Sequence, residues 1–171
     1  YGDAVVGDHL QQLAVDGHLG GNIPIQGRDN SVTQDDVNEV TDLAATVHLD
    51  ETRKAIHTFL QTFTVDDMEG IGNPVGMAGS QLALTVLVIH GARARFENVA
   101  TVFRHVSVEV EDTVFSVCAA SLAVLTPEQK KNGVLLIDLG GGTTNYAVFA
   151  NEVVAAAGSL GVGGDHVTND I

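Results

Sequence analysis

The sequence predicts an α+β module over residues 1–110, followed by an α/β segment over residues 111–171. Three observations lead there. Strand-like and helix-like stretches alternate, with no internal repeat of the kind that builds solenoids or propellers. Two stretches, SVTQDDVNEVTDLAATV and residues 96–106, carry apolar side chains at helical spacing. Finally, the apolar run VLLID leads through three consecutive glycines into TTNYAVFA, rich in β-branched and aromatic residues, which reads as a strand, a turn and a returning strand.

Taken in order, residues 3–15 and 18–25 read as two short strands meeting at Asp16-Gly17, a dipeptide suited to a hairpin turn. Thr33 with Asp36 three residues on marks a helix start, and Val37, Val40, Ala44 and Val47 share one face of that helix. Strands follow at Ala55 to Val65 and Leu82 to His90. Between them the glycine-rich MEGIGNPVGMAGS predicts a surface loop. Phe96, Val99, Ala100, Phe103 and Val106 predict a second amphipathic helix lying on those strands. From Val108 the pattern changes. VEVEDTVFSV reads as a short strand, CAASLAVL as a helix, and the stretch from Thr126-Pro127 to KKNG as a loop. VLLID, its returning partner and Val153 to Leu160 then read as strands, and Asp165 or Thr168 is placed to cap a further helix.

Composition narrows the function classes. Against 22 acidic residues stand 8 basic ones, a net charge of −14, which repels nucleic-acid phosphates and anionic lipid headgroups. No apolar stretch approaches the length needed to span a bilayer. The chain opens on Tyr1-Gly2-Asp3 without initiator methionine or leader, as expected of a segment of a longer protein. The single cysteine, Cys118, excludes an internal disulfide and reads as a packed thiol in an apolar run. The seven histidines are scattered without a metal-ligand spacing.

The glycine run is the chemically informative feature. Glycine amides approach an oxyanion closely because no Cβ intervenes, and in a turn they converge into an anion nest. Neither a Walker motif nor GxGxxG is present. Asp138 beside such a nest would repel a phosphate unless Mg²⁺ and its waters lay between them. The spacing also fits a plain glycine-rich hairpin turn with Asp138 capping it. A second glycine cluster, SLGVGGDHVTNDI, follows the next strand and favours two loops facing one cleft.

GVLLIDLGGGTTNYAVF, ASLAVLT before it, VGGDHVTNDI after it, and TQDDVNEV, FTVDDMEGIGNPVGMAG and LVIHG upstream resemble the FtsA family of bacterial cell-division proteins, within the actin-like ATPase superfamily. The resemblance implies a ribonuclease H-like, actin-like core preceded by an SHS2-type strand-helix-strand module that makes subunit or partner contacts. It implies that Gly140, Gly141 and Gly142 with Thr143 and Thr144 hold the β and γ phosphates of ATP. Asp138 would order water around Mg²⁺, and Gly163, Gly164 and Asp165 would lie on the opposite wall of the cleft. Relatives commonly carry Gln or Glu at the position of Ser116, where the side chain orients the attacking water. Serine is shorter, so binding is expected to survive better than hydrolysis.

By the same resemblance the intact protein self-associates into filaments, meets the tubulin-like ring protein FtsZ and other divisome proteins, and binds no nucleic acid. It works in the cytoplasm at the cytoplasmic face of the inner membrane at the division site, reaching the membrane through segments absent here. ATP and Mg²⁺ are expected only with the full-length parent. The alternatives are an interaction module whose glycine loop is a relic, or a pilus-assembly (PilM-like) or ethanolamine-utilisation (EutJ-like) actin-like protein.

Overall fold

A computed structural model describes residues 14–27, 29–46 and 49–169. The elements run β1 (Ala14–Pro24), α1 (Gln34–Ala45), β2 (Arg53–Val65), β3 (Met68–Ile71), β4 (Gln81–Ala92), α2 (Arg93–His105), α3 (Ser116–Val124), α4 (Pro127–Asn132), β5 (Val134–Leu139), β6 (Thr144–Ala150), β7 (Val153–Leu160) and α5 (Gly164–Asn169). Strands β1 to β4 form one sheet in the order β1-β4-β2-β3, and β5 to β7 form a second in chain order. Contacts divide the described chain into two compact units, residues 16–48 with 58–88, and residues 14–15, 49–57 and 89–169.

In the first unit α1 begins as the sequence predicts. The Thr33 side chain accepts from the Asp36 N–H, and the Asp36 carboxylate accepts from the Thr33 N–H at 2.8 Å, a reciprocal capping box. The helix buries Val40 and Ala44. It lies close to β1: a Cβ on Gly20 would come within 2.8 Å of both the Ala44 Cβ and a Val86 methyl, and one on Gly21 within 3.1 Å of the Val40 carbonyl oxygen. The glycines there admit a helix, and no turn forms at Asp16-Gly17. That expected hairpin is replaced by one strand continuous from Ala14 to Pro24, and the portion of the prediction on residues 3–13 lies outside the described residues.

Val32, Val65, Leu82, Leu84, Val86 and Val88 complete this core. The surface loop predicted for MEGIGNPVGMAGS is in part a strand, since Met68–Ile71 turns back on β2 with Phe63 opposite Ile71 and Val65 opposite Met68. Asp66 makes this bend in a left-handed conformation, φ 50°, and its carboxylate accepts the N–H groups of Ser80 and Gln81. This aspartate thus holds two elements together.

In the second unit β6 is the central strand, antiparallel to β5 and β7, with α3 packed on β5 and β6 and α4 against β6. Phe115, Val117, Ala147, Phe149 and Val154 are buried here. The strand expected in VEVEDTVFSV does not form. Residues 108–115 are irregular, and Val108, Val110 and Val114 stand exposed, because alternation alone makes no strand without a neighbouring ladder to pair with. The stretch after Thr126 is a helix rather than a loop, with Pro127 in its first turn and a second capping box between Thr126 and Gln129. Helix α2 covers the predicted span and buries Phe96, but Val106 is 66% exposed.

Candidate functional site

The site is built at one end of the second sheet. Because Leu139 pairs with Thr144 and Asp138 with Asn145, residues 140–143 form the tip of the β5-β6 hairpin, with the Gly140 N–H donating to the Thr143 carbonyl at 2.9 Å. The remaining tip amides, those of Gly141, Gly142 and Thr143, have no acceptor among the described residues. Beside them Thr143 is 2% exposed, and its hydroxyl is buried without a hydrogen-bond partner among the described residues. Leaving a buried hydroxyl unpaired costs about 1–3 kcal/mol, so its persistence calls for an explanation.

Ser116, the first residue of α3, is brought to Asp138: its hydroxyl donates to Asp138 Oδ2 at 2.9 Å. The same hydroxyl accepts from the side-chain amide of Asn145 at 3.3 Å. A directed chain results, Asn145 to Ser116 to Asp138, which fixes one carboxylate oxygen and leaves Oδ1 with no protein donor among the described residues. Asn145 is 7% exposed and was missed at the sequence level. Its signal was available, because Thr143, Asn145, Ala147 and Phe149 are alternate residues of one buried face, and polar side chains on such a face require partners.

The second glycine cluster meets the first directly. The Gly164 N–H donates to the Gly140 carbonyl and the Asp165 N–H to the Gly141 carbonyl, each at 2.9 Å, while the Thr144 hydroxyl donates to the Val162 carbonyl at 2.7 Å. Gly163 has no room for a side chain, since a Cβ would run into the Gly141 carbonyl oxygen and come within 2.5 Å of that of Gly140. A Cβ on Gly141 would lie 3.0 Å from Asp165 Oδ2. His166 closes the turn by accepting the Gly163 N–H at Nδ1, 3.2 Å. All the residues singled out in the two motifs, with Ser116, therefore occupy one end of one sheet.

Residues 14–90 match the model of the SHS2 domain inserted in FtsA. The chain is similar to the cell division protein FtsA of Pseudomonas aeruginosa, 34% identical over 98% of this chain and 39% of that protein. The chain belongs to the FtsA family. The FtsA of Neisseria meningitidis serogroup B is 28% identical over 98% of the chain and 39% of its own length, and that of Escherichia coli K12 30% identical over 88% and 36%. The chain thus spans between a third and two fifths of these FtsA proteins. Its fold is the mixed α+β one of an FtsA segment, with the SHS2 module followed by actin-like core elements. Among the described residues no helix is long and apolar enough to cross a membrane.

Proposed function

We propose that this chain supplies part of the phosphate-binding site of an ATP-binding, filament-forming cell-division protein. The observation that carries the reading is the hairpin tip: three successive amides that have no acceptor among the described residues, next to a buried Thr143 hydroxyl that has none among them either. Together they offer four donors to an oxyanion, the chemistry of a backbone nest. Gly141, Gly142 and Thr143 hold the β and γ phosphates, Gly140 and Thr144, expected to join them, spend their donors on closing and fastening the tip, and Gly163, Gly164 and Asp165 buttress it rather than stand across a gap from it.

Asp138, held by Ser116, keeps one oxygen for the waters of Mg²⁺, and the ion supplies the positive charge that lets a carboxylate and a triphosphate share the site. Ser116 donates its only proton to Asp138 and accepts from Asn145 with one of its two lone pairs, and a serine hydroxyl is too weak a base to activate an attacking water through the other. Hydrolysis is accordingly weak or absent. Family membership supports the wider role: self-association into filaments, contact with FtsZ and other divisome proteins, and work at the cytoplasmic face of the inner membrane at the division site.

The test is titration of the full-length gene product with ATP, with and without Mg²⁺. Saturable, Mg²⁺-dependent binding is expected, weakened at least about tenfold in Gly141→Val. Asp138→Asn keeps the fold and loses the Mg²⁺ dependence. No saturable binding by the unaltered protein overturns the reading.

A further inference from the structure

We propose that His57, far upstream on β2, is a positioning residue for the phosphate site, holding the start of α3 and through it Ser116 and the Asp138 carboxylate. The inference rests on the phosphate reading above and adds to it a residue that neither glycine motif contains.

The N-cap residue of α3, Phe115, makes no side-chain cap of its own. Its N–H instead donates to His57 Nε2 at 3.0 Å. The next residue is Ser116, whose hydroxyl is 2.9 Å from Asp138 Oδ2. Two hydrogen bonds and one peptide unit therefore join β2 to the carboxylate. Phe115 is 2% exposed and Val117 fully buried, so the peptide between them has little freedom to absorb a shift at its amide end. His57 lies within the residues that match the SHS2 domain, so that module supplies the acceptor.

An imidazole accepts at Nε2 only when that nitrogen carries a lone pair, which places the ring proton on Nδ1 and the ring in its neutral form. Protonation turns Nε2 into a donor facing another donor, and the Phe115 amide must move. Burial holds the His57 pKa below its usual 6.5, opposed by the negative charge of Asp112 on the segment leading into α3. Ser116, Val117 and Cys118, the first turn of α3, bring no charge to the contact. The contact is thus intact at neutral pH and lost on acidification.

The test follows the histidine and the site separately. In the full-length protein, labelled for NMR at His57, Ser116 and Asp138, the amide signals of Ser116 and Asp138 should shift with the midpoint of the His57 ring. Asp112→Asn should move that midpoint to lower pH. Mg-ATP affinity measured across about pH 5.5 to 8 should weaken about fivefold as His57 protonates, the worth of one ordinary hydrogen bond. His57→Gln offers an amide oxygen that does not titrate, so its affinity should stay near the neutral-pH value throughout, relative to the unaltered protein. His57→Leu should be weaker by the same factor at every pH. Amide signals of Ser116 and Asp138 that ignore the His57 midpoint, or a His57→Gln protein that keeps the acid weakening, overturn the proposal. Absence of ATP binding at every pH sinks the phosphate reading, while the NMR coupling still decides the role of His57.

Discussion

Replacing Gly163 with alanine adds one methyl group where the structure has no volume for it. The new Cβ would collide with the Gly141 carbonyl oxygen and sit 2.5 Å from that of Gly140, both of them backbone atoms that no rotamer change can clear. The hairpin tip and the start of α5 must separate. The Gly164 to Gly140 and Asp165 to Gly141 hydrogen bonds, each 2.9 Å, are then lost or stretched. Two such bonds contribute about 1–3 kcal/mol and overpacking costs about as much again, so a loss of at least 2 kcal/mol is expected. Urea unfolding followed by circular dichroism reads the global loss, and amide exchange at Gly164 and Asp165 reads the local one. Gly161→Ala and Gly164→Ala are the controls. A Cβ at Gly161 meets nothing within 4 Å and one at Gly164 only the Gly140 oxygen at 3.8 Å, so both should stay within about 0.5 kcal/mol of the unaltered protein. A Gly163→Ala protein that matches these controls and keeps both amides protected refutes the claim that the loops touch through their main chains.

Three further expectations concern the rest of the molecule. Thr33→Ala should destabilise α1 by about 1 kcal/mol in urea melts, the usual worth of an N-cap. The Asp36 carboxyl is held below 3.8, first by the Thr33 N–H and also by its hydroxyl and the Gln26 N–H. A depressed carboxylate pKa contributes stability above its unfolded value that is lost as pH falls through the folded one, so Asp36→Asn should flatten the acid limb of the stability curve below about pH 4. An unchanged acid limb counts against the capping box as the cause. Cys118 is only partly exposed, and burial pushes its thiol up to about 11 despite Lys130 nearby. Its reaction with a disulfide reagent at about pH 8 should be about a hundredfold slower in the folded than in the unfolded chain. Equal rates would show the thiol to be open.

What could be read from sequence was whatever rests on residues close in the chain. Thr33 and Asp36 announce α1 because both halves of the capping box lie within one turn. The β5-β6 hairpin is legible because an apolar run, a glycine tip and a β-rich return are contiguous. The failures came where a distant partner decides. Asp16-Gly17 has the chemistry of a turn, yet the helix packed on Gly20 and Gly21 makes those positions strand. The valines of VEVEDTVFSV alternate as a strand does but have no ladder beside them. Helix α4 is a different case, since Thr126, Pro127 and Gln129 spell a helix start within a single turn. At the site, the glycines and Asp138 were visible from the motif, and Ser116 from the family resemblance. Asn145 shows in the sequence only as a polar residue on a buried strand face, its partner Ser116 lying 29 residues away, and His57 depends on an amide 58 residues away.

A stretch of three glycines, left to itself, samples more conformations than any other tripeptide, and a guest that must freeze it would forfeit much of its affinity. Here that disorder has already been removed before any guest arrives. The Gly140 to Thr143 bond closes the loop from within, and Gly164, Asp165 and Thr144 fasten it from outside. The chain thereby combines the close approach that only glycine permits with the stiffness that glycine alone cannot provide.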